Sequence, residues 1–283
     1  MNKVRLIYCF AALLLTQGAA VAQGYRVDWN SVNSGGAQMS GGGYRITCSA
    51  GQSAAGFASN TDRLHWIGFW SGGIPTPTLV TRASDVKLMQ DGAFVSVVGK
   101  VATSIETDFS GFFYVEDENR TGGLRVAIPA GAVSGLLRGR TIVNAIGTTG
   151  TAANGERQIS AALVVIVSDL TDALRPVAVN NSGLGGADLG APPLGQIGVT
   201  NGAGANNVGL LVMTFGTVQE VGTGYMVISD GSLDPVRVST VGLSNLPQVG
   251  DFVAVTGISS LYPSGGDTLR LILPRLRSDI WPP

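Results

Sequence analysis

A spaced internal repeat constrains this chain more than any other feature. The first copy runs through Phe94-Val95-Ser96-Val97-Val98-Gly99-Lys100-Val101 and then Gly111-Phe112-Phe113-Tyr114-Val115-Glu116-Asp117. The second runs through Leu211-Val212-Met213-Thr214-Phe215-Gly216-Thr217-Val218 and then Gly224-Tyr225-Met226-Val227-Ile228-Ser229-Asp230. Each copy next presents an arginine between apolar residues, Leu124-Arg125-Val126 and Val236-Arg237-Val238. Each then opens an apolar stretch on glycine, Gly139-Arg140-Thr141-Ile142-Val143 and Gly250-Asp251-Phe252-Val253-Ala254-Val255. A repeat of this kind means one structural unit built twice. Alternating apolar residues bounded by glycine-rich turns make the unit a set of strands.

Each copy reads as five strands. The first carries a mid-strand glycine, Gly99 or Gly216, where a bulge or sharp bend lets one strand serve both sides of a closed sheet. The second follows a tight turn and the third carries the arginine. An irregular crossing follows, from Pro129 to Leu137 or from Val241 to Gln248, and two more strands close the unit. Alternation sends Phe113 and Val115, matched by Met226 and Ile228, into the core. The expected core also includes Val95, Val97, Val126 and Ile142, with Val212, Val238 and Val253 as second-copy counterparts.

The first 22 residues have the form of a secretory signal peptide: Lys3 and Arg5, an apolar run from Leu6 to Leu15, then Ala20-Val21-Ala22 before Gln23. That run is too short to span a bilayer, and no later stretch reaches the ~20 apolar residues required. The expectation is export, to the periplasm or the medium. Its removal leaves Cys48 as the single cysteine, so an internal disulfide is excluded and stability rests on buried apolar area. Lys+Arg number 18 against 19 Asp+Glu, and beyond the signal the only lysines are Lys87 and Lys100. That balance argues against a strong polyanion binder, which neutralises phosphates with clustered cations.

Residues 23–73 form a glycine-rich β unit of different texture. Tyr25 to Trp29, Tyr44 to Cys48 and Leu64 to Trp70 read as strands, separated by Asn33-Ser34-Gly35-Gly36 and Ser40-Gly41-Gly42-Gly43. Residues 74–80 are a Pro/Thr linker, 81–170 the first repeat unit, 171–205 a Gly/Asn-rich connector and 206–283 the second repeat unit. Leu184, Leu189, Leu194 and Ile197 are spaced to anchor the connector over the second unit.

The break between third and fourth strands is the order of the OB-fold, a small five-stranded barrel. The Gly-Tyr225-Met226-Val227-Ile228-Ser229-Asp230 stretch, the arginine strand and Gly250-Asp251-Phe252-Val253-Ala254-Val255-Thr256-Gly257 resemble OB domains of secreted bacterial proteins. The Asn206-Asn207-Val208-Gly209-Leu210-Leu211-Val212 entry and the Asp230-Gly231-Ser232 turn carry the same resemblance, whereas the first copy departs from it with Arg140 where the second has Asp251. Such domains are related to the anticodon-binding type, and some accompany extracellular nucleases. The Gly43-Tyr44-Arg45-Ile46 and Gly68-Phe69-Trp70-Ser71-Gly72 stretches resemble a short repeat unit of secreted bacterial proteins. The expected architecture is therefore all-β: two tandem five-stranded OB-like barrels behind a short glycine-rich β unit.

On the second strand Phe112, Tyr114 and Glu116, matched by Tyr225, Val227 and Ser229, should point outward, and Arg125 and Arg237 beside them. Phe112, Tyr114, Arg125, Tyr225 and Arg237 are therefore the candidate ligand-binding residues, on the face that OB-folds offer to oligonucleotides and oligosaccharides. The competing expectation is that these rings pack against neighbouring segments. Arg125, with sequence neighbours on both sides, leans towards packing and Arg237 towards exposure. The acidic turns Glu116 to Asn119 and Asp230 to Asp234 lack a complete calcium loop. Cys48 and His65 are better explained by packing than as a nucleophile pair. Neither a zinc spacing nor a phosphate loop nor a nucleophile elbow occurs, so no catalytic residue, metal or cofactor is expected. The sequence thus points to an exported binding module for an oligosaccharide or single-stranded nucleic acid. The other expectation is a structural or interaction protein of the envelope or matrix, with an envelope protein as partner.

Overall fold

The computed structural model describes residues 76–282 apart from 130, 192 and 193, and the backbone of four short strands between residues 35 and 67. Two compact units result, residues 1–74 and 75–283. In the first unit β1 (Gly35–Gly41) pairs antiparallel with β2 (Tyr44–Ala50), and β3 (Gly56–Ser59) with β4 (Leu64–Ile67). Gly35, Gly36, Ser40 and Gly41, expected as turns, belong to strand β1 instead. The expected Tyr25–Trp29 strand, the signal segment and the side chains of Cys48 and His65 lie outside the described residues.

The second unit holds both repeats. Its first sheet contains β5 (Thr78–Val80), β6 (Phe94–Ala102), β7 (Phe112–Glu116), β8 (Gly123–Ala127), β9 (Thr141–Thr151) and β10 (Arg157–Asp169). The second contains β11 (Val177–Ala178), β12 (Leu211–Gly222), β13 (Tyr225–Ser229), β14 (Val236–Ser239), β15 (Phe252–Ser264), β16 (Asp267–Leu273) and β17 (Ile280–Trp281). The strand order is β5-β6-β7-β8-β10-β9 in one and β11-β12-β13-β14-β16-β15-β17 in the other. Pairing of β6 with β9, and of β12 with β15, brings each sheet back on itself. The chain is accordingly mostly β, with a closed five-stranded barrel and a second sheet that is ring-like. The only α-helix among the described residues is α1 (Ala83–Lys87).

The repeat is longer than its sequence signature. β5 runs parallel to β6 and β11 runs parallel to β12, so each ring begins with an added edge strand. Both additions lie in stretches that read as linker and connector, because two or three residues are too short to show alternation.

Alternation fills both cores with the expected side chains, with one exception. Val95, Val97, Phe113, Val115 and Val126 are buried in the first ring, and Val212, Met226, Ile228, Val238 and Val253 in the second. Ile142 is only half-buried, and Val143 takes the core position. Val143 and Ala145 alternate into the core along β9, which leaves Ile142 on the other face of that strand. A bulge on the partner strand β6, between Val97 and Lys100 with Gly99 at φ 66°, sets Lys100 opposite Val143 and Val101 opposite Ile142. Gly216 does not bulge. It pairs in register with Val253, and a Cβ there would lie 2.7 Å from the Ser229 backbone, so glycine permits a close strand approach. The second ring's irregularity falls instead between Val218 and Glu220.

Ala83 and Val86 of α1 pack into the first core, and Leu184, just after a 3-10 turn at Asn181–Gly183, into the second. The connector does drape, on one of its four expected anchors, Leu184. Of the others, Leu194 and Ile197 remain exposed and Leu189 is half-buried, while Val199 of the connector is also buried. Gly123 and Gly209 let the two repeats meet backbone to backbone: a Cβ on Gly123 would lie 2.2 Å from the Gly209 carbonyl carbon.

Candidate functional site

Both arginine strands deliver the same local motif. In the first ring the Arg125 guanidinium lies 3.6 Å from the centre of the Phe112 ring. In the second, Arg237 lies 3.5 Å from Tyr225 and 4.3 Å from Tyr262. The β7–β8 and β13–β14 hairpins set these pairs on one face, with Tyr114 opposite Arg125 and Val227 opposite Arg237. Cation–π contact replaces part of the hydration that each guanidinium loses on partial burial.

The surroundings then diverge. Tyr114, expected to face solvent as a ligand-binding residue, is fully buried. It belongs to a cluster with Leu211 and Ile258, against which Phe109, Phe112 and Leu273 also pack. Three of those residues come from the second repeat, so the second ring covers the first ring's arginine face. Phe109 stacks on Phe112 at 5.3 Å, and Tyr114 meets both rings edge-on at 5.9 and 5.8 Å.

A buried carboxylate completes this seam. Tyr114 donates its hydroxyl to Glu156 Oε2 at 2.6 Å, Ser260 donates to Oε1, and Arg125 Nη1 stands 3.9 Å away. Burial, then the adjacent Glu156 charge, pushes the Tyr114 hydroxyl well above the usual phenol range. Glu116, also fully buried, accepts a hydrogen bond from Leu211 N–H at 3.1 Å and faces Arg120 Nε at 3.1 Å. Burial raises its pKa to about 7. Lys87 donates to the Val208 carbonyl, and burial lowers its pKa to about 8. Arg275 reaches the Thr103 carbonyl at 2.8 Å.

On the second ring Tyr225, Arg237 and Tyr262 are all partly accessible. Arg237 makes no hydrogen bond or ion pair to any described residue, so its five N–H donors meet no partner among them. Tyr225 donates its hydroxyl to Glu220, which raises the Tyr225 pKa. Val227 and Leu271 flank the arginine on neighbouring strands. The arrangement is a guanidinium held between two aromatic faces with a carboxylate at one end. It suits stacking and hydrogen bonding to an oxygen-rich ring.

Sequence reasoning did not find Tyr262, Glu220 or Glu156. Tyr262 reaches the face because β15 runs 13 residues, well past the expected fourth strand. The Ser264-Gly265-Gly266-Asp267 turn signal between two alternating runs marks that hairpin. Glu156 gains its role only from partners far away in sequence.

The acidic turns are already engaged. Asp117 pairs with Lys100 at 2.8 Å and accepts from Ala83 N–H at 3.2 Å, while Asp230 accepts from the N–H groups of Asn181 and Ser232. Among the described residues no group of three or more His, Cys, Asp or Glu is placed to hold a metal. No helix among them is long and apolar enough to cross a membrane. No protein-family model matches the chain, and no curated protein matches it.

Proposed function

We propose that this protein is an exported, non-catalytic binding module whose two rings are OB-type barrels, and that the second barrel carries the ligand face. The observation that supports this is Arg237, held between Tyr225 and Tyr262 with no described ion-pair partner. A guanidinium with unused donors, pre-oriented by two rings, loses little side-chain entropy on meeting a ligand. Of the two ligand classes, we infer an oligosaccharide rather than a single-stranded nucleic acid. The chain has nearly balanced charge, and Glu220 stands beside the face, which disfavours a phosphate backbone. Export rests on the Lys3 to Ala22 segment.

Titrating the full chain with neutral oligosaccharides and with oligo-dT across a range of salt tests this reading. Sugar affinity should be nearly flat with salt and lost in Arg237→Ala. A steep salt slope for oligo-dT would transfer the site to nucleic acid, and binding unchanged in Arg237→Ala would remove the site altogether.

A second reading draws on the first ring. Its equivalent face is buried in the seam, as expected of a protein whose β units serve to pack together in an envelope or matrix assembly with a protein partner. Both readings hold together if the first copy is structural and the second binds.

A further inference from the structure

The second ring has another face whose composition is unusual for an isolated surface. Phe215, Phe252 and Trp281 keep 49%, 61% and 65% of their surface accessible, and Met213 beside them 38%. Clustered large apolar side chains left in water mark a binding surface more often than scattered ones do.

Strand register places them. Phe215 pairs with Ala254, and Ala254 pairs in turn with Trp281, forming one row across β12, β15 and β17. Directly opposed residues share a sheet face. Thr217 pairs with Phe252 in the next such row, and Met213 with Thr256 on the other side. The Phe215 and Phe252 rings lie 6.0 Å apart and tilted by 41°. Beneath this face Val253, Val255 and Ile280 are fully buried, so the platform stands on packed core. Phe215 and Trp281 are separated by two strand spacings, roughly 10 Å, with only the Ala254 methyl between them. The result is a shallow trough with aromatic walls and a small floor.

We propose that this trough binds a neutral polysaccharide of β-linked pyranose rings. None of the seven positions, Met213, Phe215, Thr217, Phe252, Ala254, Thr256 and Trp281, is charged, which disfavours phosphate or sulfate polyanions. Pyranoses with equatorial substituents expose flat C–H faces that stack on aromatic rings, and the two threonine hydroxyls supply hydrogen bonds at the edge. The trough spans a length on the order of two linked sugars. A protein partner fits less well, since a standard protein interface takes about 20–30 residues per side. This face is separate from Arg237, which sits on β14, and the inference does not depend on that site.

The test uses the full chain with cellohexaose and chitohexaose in calorimetry, and with insoluble β-1,4-glucan and chitin in pull-down. At least one of the two sugar types should be retained. Trp281→Ala and Phe252→Ala should each weaken its binding by about tenfold or more, the effect of losing one stacking ring. Both substitutions are at exposed positions, so melting temperature and circular dichroism should stay at wild-type values. Lack of binding to both sugars, binding indifferent to Trp281→Ala and Phe252→Ala, or a dimer in sedimentation that those variants dissolve would each overturn the proposal.

Discussion

The two arginine faces began as the same hairpin and ended in different places. Arg125 over Phe112 and Arg237 over Tyr225 have nearly identical geometry, 3.6 and 3.5 Å. The neighbouring positions differ: the first copy has Tyr114 and Glu116 where the second has Val227 and Ser229. Tyr114 brings a large ring and a hydroxyl that needs a buried acceptor, and Glu116 brings a carboxylate that needs donors. Tyr114 finds its acceptor in Glu156 of its own repeat, and the second repeat covers both groups, with Ser260 donating to Glu156 and Leu211 N–H to Glu116. The lesson is that an aromatic–arginine pair does not by itself define a ligand site. The residues beside it decide whether the face must be covered.

The strongest way to break this comparison is Tyr114→Ala. It removes a fully buried aromatic side chain and leaves Glu156 short of a donor, so urea titration should show a loss of about 3–5 kcal/mol. Tyr225→Ala, at the matched open face, should stay within about 1 kcal/mol. Equal losses would mean that the two faces are equally buried in solution.

A second test uses pH. An acid whose folded pKa lies above its ordinary value favours the fold while protonated. Glu116, raised from 4.5 to about 7 by burial, therefore contributes fully below pH 4.5, and that contribution is lost as pH rises through 7. Arg120, the Leu211 N–H and Arg275 pull the value down, and Asp117 pushes it up. The loss across this window should be roughly 3 kcal/mol at about 1.4 kcal/mol per pH unit. Glu116→Gln should flatten the stability profile between pH 4.5 and 7. A profile that stays as steep in the variant assigns the dependence elsewhere.

Smaller effects separate the arginines. Arg125→Ala removes a half-buried cation from the ring of Phe112 and from the neighbourhood of buried Glu156, and should cost about 1–3 kcal/mol. Arg237→Ala should change stability by less than about 0.5 kcal/mol, as surface substitutions do. Differential scanning calorimetry of both variants beside wild type reads the difference, and a large loss for Arg237→Ala would end its role as a free ligand contact. The mildest test is Val227→Tyr, which writes the first copy's residue onto the second. With no covering partner to clash against, its melting temperature should lie within a few degrees of wild type.

Much of the architecture was legible in the residues themselves. Alternation placed Phe113, Val115, Met226 and Ile228 inside, and the mid-strand glycine marked a bulge at Gly99 but not at the matched Gly216. Local signals failed where two adjacent apolar residues leave the parity of a strand open, as at Ile142 and Val143, or where an element is too short to show a period, as at Val177–Ala178. The arginine–aromatic pairs were likewise readable, because residues across a hairpin are tied by strand register. What no local pattern carries is the covering of Tyr114 by Leu211 and Ile258, or the meeting of Glu156 with Ser260 across 104 residues of chain. The sequence by itself determined two sets of alternating strands and which side of each strand faces a core. The tertiary structure decided which outer face remains in water, because burial between repeats depends on contacts between residues distant in the chain.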